Sequence, residues 1–374
     1  MIRRIANLFR KIKEGRPVVG ATPADVIHRE NKWRILRYRP DPEATPLETE
    51  PILLVPSLIN RHYVLDLMPG KSFVEFLVGR GHDVYIIDWG TPGDEDRYLT
   101  FDDFCYTYLG RAIRKVAARS PTGKTHVLGY CLGGTLTTIY AALDSSRIAS
   151  MITLAAPVDF HDEGLLSTWS RLPSLDLDAL VDGTGNIPWQ LMQTGFHLLR
   201  PTMNLSKAVY MLDRAWDDRF LDGFFAIETW SNDNVRFPGE AFRRYIKELY
   251  QRNLLVKEKF TVAGRVVRLS EISCPTLAVS FSHDNIVPAQ SVEALLDHID
   301  PDMGEVLELR GGHVGAVVSS RASTSLWPKL SDWFIGEDAT LLETSKLETS
   351  KLENTPESKK NTSKRKTAAV EQAS

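Results

Sequence analysis

A cysteine stands in the middle of the run Gly129-Tyr130-Cys131-Leu132-Gly133-Gly134. The residues before it, Thr125-His126-Val127-Leu128, read as a short strand, and those from Leu132 onward carry a helical pattern. A glycine two positions either side of a nucleophile, between a strand and a helix, is the pattern of a nucleophile elbow. The need is steric: the reactive residue occupies a strained turn, and side chains at the flanking positions would collide with neighbouring backbone. Such a turn presents the Cys131 sulfur at a helix N-terminus, where the helix dipole favours negative charge. It also aims the backbone N–H of Leu132 at a developing oxyanion. A free cysteine is more often a small buried core residue. Here the glycine frame favours the nucleophile.

Two further residues follow in the chain order nucleophile, acid, histidine. The stretch from Thr276 to Pro288 reads as a strand ending in the polar turn His283-Asp284-Asn285. An acid at the C-terminal end of a strand belongs on the rim where open α/β sheets place their sites. Asp284 is the candidate acid, its bland alternative being a cap on the helix after Pro288; His283 reads as structural. His313 lies in the glycine-flanked loop Gly311-Gly312-His313-Val314-Gly315 after the last strand. Packing alone does not explain a histidine there, so it is the candidate base. A second oxyanion donor is expected from the loop after an early strand, Pro51 to Leu58, as the N–H of Leu58 or of Ser57. The other histidines show no metal-ligand spacing, and no cofactor is expected.

These residues need a scaffold. Short apolar runs recur at 35–39, 52–55, 84–89, 126–130, 151–155, 276–281 and 306–309, with helical patterns between several of them, notably 101–118 and 132–143. Alternating strands and helices predict an α/β fold with a mostly parallel sheet covered on both faces. The alternation fails over 160–272, a stretch rich in Trp, Phe, Leu, Arg and Asp that reads as a helical insertion and, in such a fold, as a lid. The core then comprises 17–159 and 273–337. Residues 1–16 form a basic amphipathic segment, with Ile2, Ile5, Leu8, Phe9 and Ile12 on one face. It is expected either to dock on the domain or to meet an apolar granule, a membrane or a partner helix. From 338 the chain repeats Leu-Glu-Thr-Ser-Lys and then turns basic, a composition expected to be disordered.

Composition bounds the rest. The 374 residues are 43% hydrophobic and 25% charged, with a formal net charge of −3, which argues against nucleic acid as a partner. Three cysteines at scattered positions make no disulfide framework and point to a reducing compartment. No apolar run has the length of a membrane span. A cytoplasmic location is expected.

At these residues the sequence resembles the catalytic subunit of the two-component poly(3-hydroxyalkanoate) synthases. The resemblance covers about residues 20–336. It rests on Gly-Tyr-Cys131-Leu-Gly-Gly, Asn60 to Leu67, Asp83 to Trp89 with Asp96 to Thr100, Ala156 to Phe160, Gly239 to Phe242, and Gly311-Gly-His313-Val-Gly. It implies an α/β-hydrolase fold, with Cys131 as nucleophile, Asp284 as acid and His313 as base. The implied activity is polymerisation of short-chain (R)-3-hydroxyacyl-CoA into polyester with release of CoA. The family usually has histidine after the acid, where this chain has Asn285. The resemblance further implies a second synthase subunit and association with the polyester granule surface. Two other classes compete: a cysteine-dependent hydrolase, such as a thioesterase, a dienelactone-hydrolase-like enzyme or a polyester depolymerase, and a non-catalytic granule-coating protein. The intact set of Cys131, Asp284 and His313 argues against the last.

Overall fold

The computed structural model describes residues 2–199 and 203–337. The repeat-bearing segment from 338 lies outside the described residues. An eight-stranded sheet runs through the molecule. Its strands are β1 (Ala24–Glu30), β2 (Trp33–Tyr38), β3 (Ile52–Val55), β4 (Val84–Asp88), β5 (Thr125–Tyr130), β6 (Ile148–Leu154), β9 (Thr276–Phe281) and β10 (Gly304–Leu309). The short pair β7 (Thr261–Val262) and β8 (Arg265–Val266) forms a separate antiparallel ribbon. Across the large sheet the order is β1-β2-β4-β3-β5-β6-β9-β10. The β1–β2 and β2–β4 pairs are antiparallel and the remaining pairs parallel.

The central strands are buried along their whole length because both faces are covered. Alternate residues serve opposite cores. Leu53, Val55, Tyr85 and Ile87 join one cluster with residues of helices α3 (Leu109–Ala117) and α4 (Leu132–Leu143). Ile52, Leu54, Val84 and Ile86 join the other, with helix α2 (Phe73–Gly79) and the C-terminal Leu326, Leu330 and Phe334. The sheet edges read differently. β10 is half-exposed and carries Glu305 and Glu308, charges that discourage edge-to-edge pairing. β1 was not expected from the sequence. Its Ala-Asp-Val-Ile-His-Arg-Glu lacks an apolar run because it packs on one side only, and the turn at Asn31 (φ 49°) folds it back on β2.

Between β6 and β9 the chain is mainly helical. It comprises α5 (Leu165–Ser170), α6 (Leu177–Thr184), α7 (Trp189–Leu198), α8 (Met203–Asp213), α9 (Asp218–Asn232) and α10 (Gly239–Arg244), followed by a π-helical turn and the small ribbon. The N-terminal helix α1 (Ile2–Glu14) docks on this insertion through its polar face: Arg4 pairs with Asp213 at 3.0 Å, Arg10 with Asp218 at 2.7 Å and Lys11 with Asp222 at 2.8 Å. Its apolar residues Ile5, Phe9 and Ile12 face solvent. The sequence pattern defined two faces but not their assignment; the acids of α8 and α9 drew the basic face inward. No helix among the described residues is long and apolar enough to cross a membrane.

Candidate active site

The sheet brings Cys131, Asp284 and His313 together. Cys131 follows β5 and precedes the first turn of α4, with φ 55° and ψ −129°, a conformation that side chains rarely adopt. Its glycines are required by close approach. A Cβ at Gly129 would collide with the backbone of Gly134, and one at Gly134 with the side chain of Ala156. A Cβ at Gly133 would collide with the Val55 carbonyl oxygen and lie 2.6 Å from that of Pro56. The N-terminus of α4 is thereby pressed against the loop leaving β3.

Asp284 and His313 follow neighbouring parallel strands. β9 and β10 pair through Phe281 opposite Leu309, and the pairing continues into the loops as Ser282 N–H donates to Leu309 O and His283 N–H to Gly311 O. That register sets Asp284 beside His313, whose Nδ1 donates to Asp284 Oδ2 at 2.6 Å. The other carboxylate oxygen accepts the N–H groups of Ile286 at 2.8 Å and Val287 at 3.0 Å. Both side chains are buried, and the Cys131 side chain acts on the imidazole electrostatically. Burial of His313 disfavours its cation, but negative charge on Cys131 and Asp284 outweighs it and raises the imidazole pKa to about 10. A cysteine beside an imidazole that is hydrogen-bonded to a carboxylate can give up its thiol proton, and the carboxylate can hold the resulting imidazolium.

Tyr130, which the sequence did not single out, braces this chain. Its hydroxyl donates to the His313 carbonyl at 3.2 Å and its ring stacks on the imidazole at 5.3 Å. Burial holds its phenol well above the ordinary value. The residue next to a nucleophile gives no signal of this in sequence, because its partner lies on a distant loop.

Cys131 and His313 line a cavity of about 470 Å³ together with Ser57, and Asp284 stands behind the imidazole. Gln193, Phe196, Ile227 and Trp230 of the insertion close its far side. Leu58, one of the two expected backbone donors, buries its side chain in the core and lines a small separate pocket with Trp89. Leu132 is the first residue of α4 and fully buried. His283, which the sequence suggested was structural, is instead exposed and lines the cavity beside Asn285.

Comparison with known proteins agrees with this fold. Residues 50–315 match the family described as alpha/beta hydrolase fold, and residues 10–77 match that described as poly-beta-hydroxybutyrate polymerase (PhaC) N-terminus. The poly(3-hydroxyalkanoate) polymerase subunit PhaC of Allochromatium vinosum is 35% identical over 84% of this chain and 88% of its own length. The protein of the same name from Haloferax mediterranei is 35% identical over 86% of this chain, which spans 65% of that relative's length. Among solved structures, a putative non-heme bromoperoxidase, BpoC, from Mycobacterium tuberculosis superposes with a TM-score of 0.51 at 13% identity, covering 82% of this chain and 99% of that one, which speaks to fold alone. With an α/β-hydrolase sheet, an elbow cysteine and relatives of this identity over most of its length, the chain belongs to the poly(3-hydroxyalkanoate) polymerase subunit PhaC family.

Proposed function

We propose that the protein polymerises short-chain (R)-3-hydroxyacyl-CoA into a polyhydroxyalkanoate, through an acyl thioester on Cys131. The observation that carries this reading is the His313–Asp284 hydrogen bond at the cavity that Cys131 also lines, with the cysteine held in a strained elbow, in a member of this polymerase family. His313 takes the thiol proton as Cys131 sulfur attacks the acyl carbon. The S–C bond to Cys131 forms, the bond to coenzyme A breaks, and the leaving sulfur takes the proton. One thioester replaces another, so the step is close to thermoneutral. In elongation His313 accepts the proton from the hydroxyl of an incoming 3-hydroxyacyl-CoA as that oxygen attacks the acyl carbon. The ester C–O bond forms, the C–S bond to Cys131 breaks, and the released sulfur recovers the proton from His313. Each general-base step contributes roughly 10²–10⁴-fold. Asp284 holds the imidazole in one tautomer and stabilises its cation. The N–H groups of Leu132 and of Leu58 or Ser57 serve as oxyanion donors, together worth several kcal/mol at about 3–4 each.

An alcohol must outcompete water for the acyl enzyme. In this reading the insertion over 160–272 acts as the lid, its apolar Phe196, Ile227 and Trp230 keeping water from the thioester. We further propose a second synthase subunit, a cytoplasmic location and contact with the polyester granule, for which the outward apolar face of α1 and the exposed Trp216 are candidate surfaces. The test is incubation with 3-hydroxybutyryl-CoA, with and without a co-expressed partner subunit. Insoluble polymer formed with CoA release is the expected product; free 3-hydroxybutyrate in its place identifies a hydrolase.

A further inference from the structure

The cavity wall carries one sign of charge. Among the described residues that line it there is no aspartate or glutamate, whereas Arg61, Lys207, His197 and His283 all do. Composition does not account for this, since the chain holds 48 acids against 45 lysines and arginines. The four come from separate places: Arg61 from the loop after β3, His197 from α7, Lys207 from α8 and His283 from the loop after β9. Convergence of a few donors from several elements on one otherwise apolar cavity is the usual make-up of a ligand site.

The acids that belong to Arg61 and Lys207 stand outside the wall. Lys207 Nζ pairs with Glu228 at 2.6 Å, and Arg61 Nε pairs with Asp233 at 3.2 Å while its Nη1 donates to Thr91 Oγ1 at 2.8 Å. Neither carboxylate lines the cavity. Each pair fixes a flexible side chain at the wall, so less conformational freedom is lost when a ligand arrives. Arginine offers five donors in a planar fork suited to phosphate oxygens, and lysine a compact point charge.

We infer that Arg61, Lys207, His197 and His283 form a phosphate-binding wall that receives the nucleotide end of a coenzyme A thioester, while the apolar side formed by Phe196, Ile227 and Trp230 takes the acyl part. The inference rests on the proposal that the chain uses CoA thioesters. It adds the residues that distinguish CoA from a phosphate-free thioester of the same acyl group.

The readout is a ratio: kcat/KM for 3-hydroxybutyryl-CoA divided by kcat/KM for the matching 3-hydroxybutyryl-pantetheine, which carries no phosphate. K207Q and R61Q should each lower this ratio about tenfold, the worth of roughly one charge-assisted hydrogen bond, and K207R should retain most of it. E228Q breaks the same ion pair as K207Q but leaves the cation, so it should hold the ratio at or above the wild-type value. Equal losses on both substrates, or an E228Q effect matching that of K207Q, would reduce Lys207 to a structural role and overturn the inference. Titration of adenosine 3′,5′-bisphosphate into the intact chain decides the matter independently of turnover. Binding that weakens about tenfold in K207Q supports the wall, and no binding to the wild-type chain overturns it. Bisphosphate binding without turnover of either thioester would defeat the polymerase reading and leave the phosphate wall standing.

Discussion

Tyr130 and His313 are held together twice, by a ring stack at 5.3 Å and by a hydrogen bond from the Tyr130 hydroxyl to the His313 carbonyl at 3.2 Å. The residue before the elbow cysteine thus anchors the loop that carries the candidate base. Y130F keeps the stack and removes the bond, leaving a buried carbonyl with one partner fewer. It should cost about 1 kcal/mol of stability and slow acylation of Cys131 several-fold, because the imidazole loop gains freedom. Single-turnover labelling with acyl-CoA checks the rate and denaturant unfolding the stability. A rate identical to wild type would confine Tyr130 to packing.

Glycines in two helices should respond in opposite ways to alanine. At Gly133 the new methyl would strike the carbonyls of Val55 and Pro56, which are backbone and cannot rotate aside. G133A should lose about 1–3 kcal/mol as the β3 loop is pushed from the elbow. At Gly183, exposed on α6, a Cβ meets nothing within 4 Å. G183A should gain about 0.5–1 kcal/mol from helix propensity alone. Melting temperatures of the two variants, measured side by side, give the signs.

The triad variants separate the chemical steps. C131A should abolish CoA release while the fold persists, since removing one partly buried sulfur leaves only a small void. H313Q should block acylation. D284N should spare acylation in part and impair elongation more, because a hydroxyl is a far weaker acid than a thiol. Burst and steady-state rates with acyl-CoA measure each step, and equal loss of both in D284N would count against this division.

The charge on His313 should also be visible in stability. Burial opposes its protonation, yet Cys131 and Asp284 raise its pKa from 6.5 to about 10. The folded state therefore binds this proton more tightly than the unfolded chain. The stabilisation is fully present below pH 6.5 and is lost as pH rises through about 10. The melting-temperature gap between wild type and H313Q should accordingly be widest below pH 6.5 and shrink towards pH 10. A gap that widens over that range would contradict the assignment.

Helix α1 is held by partly exposed ion pairs and by Asn7, which donates to the Ala215 carbonyl at 2.8 Å. Such pairs are screened by salt. Limited proteolysis near residue 14 should accelerate as sodium chloride rises, while cleavage within the sheet stays slow. Insensitivity to salt would mean that apolar contacts, not charge, hold the helix.

The elbow was legible in the sequence because its constraint is local. Gly129 must be glycine because a Cβ there would strike the backbone of Gly134 within the same turn. The apolar runs of β3, β4 and β9 were legible because strands covered on both faces are mostly apolar, and a buried polar residue such as Ser280 needs a hydrogen-bond partner. The helical character of 160–272 and the order of cysteine, acid and histidine were likewise readable along the chain. Other features were not. β1 escaped because a half-exposed edge strand needs no apolar run. The outward apolar face of α1 depends on Asp213, Asp218 and Asp222, some 200 positions away. The 2.6 Å bond between Asp284 and His313 depends on the register of β9 against β10, and the acid-free cavity wall on four segments meeting in space. Residue type and short spacing carry local backbone requirements, whereas register, the docking of helices and the lining of a cavity are set by long-range packing that no single segment encodes.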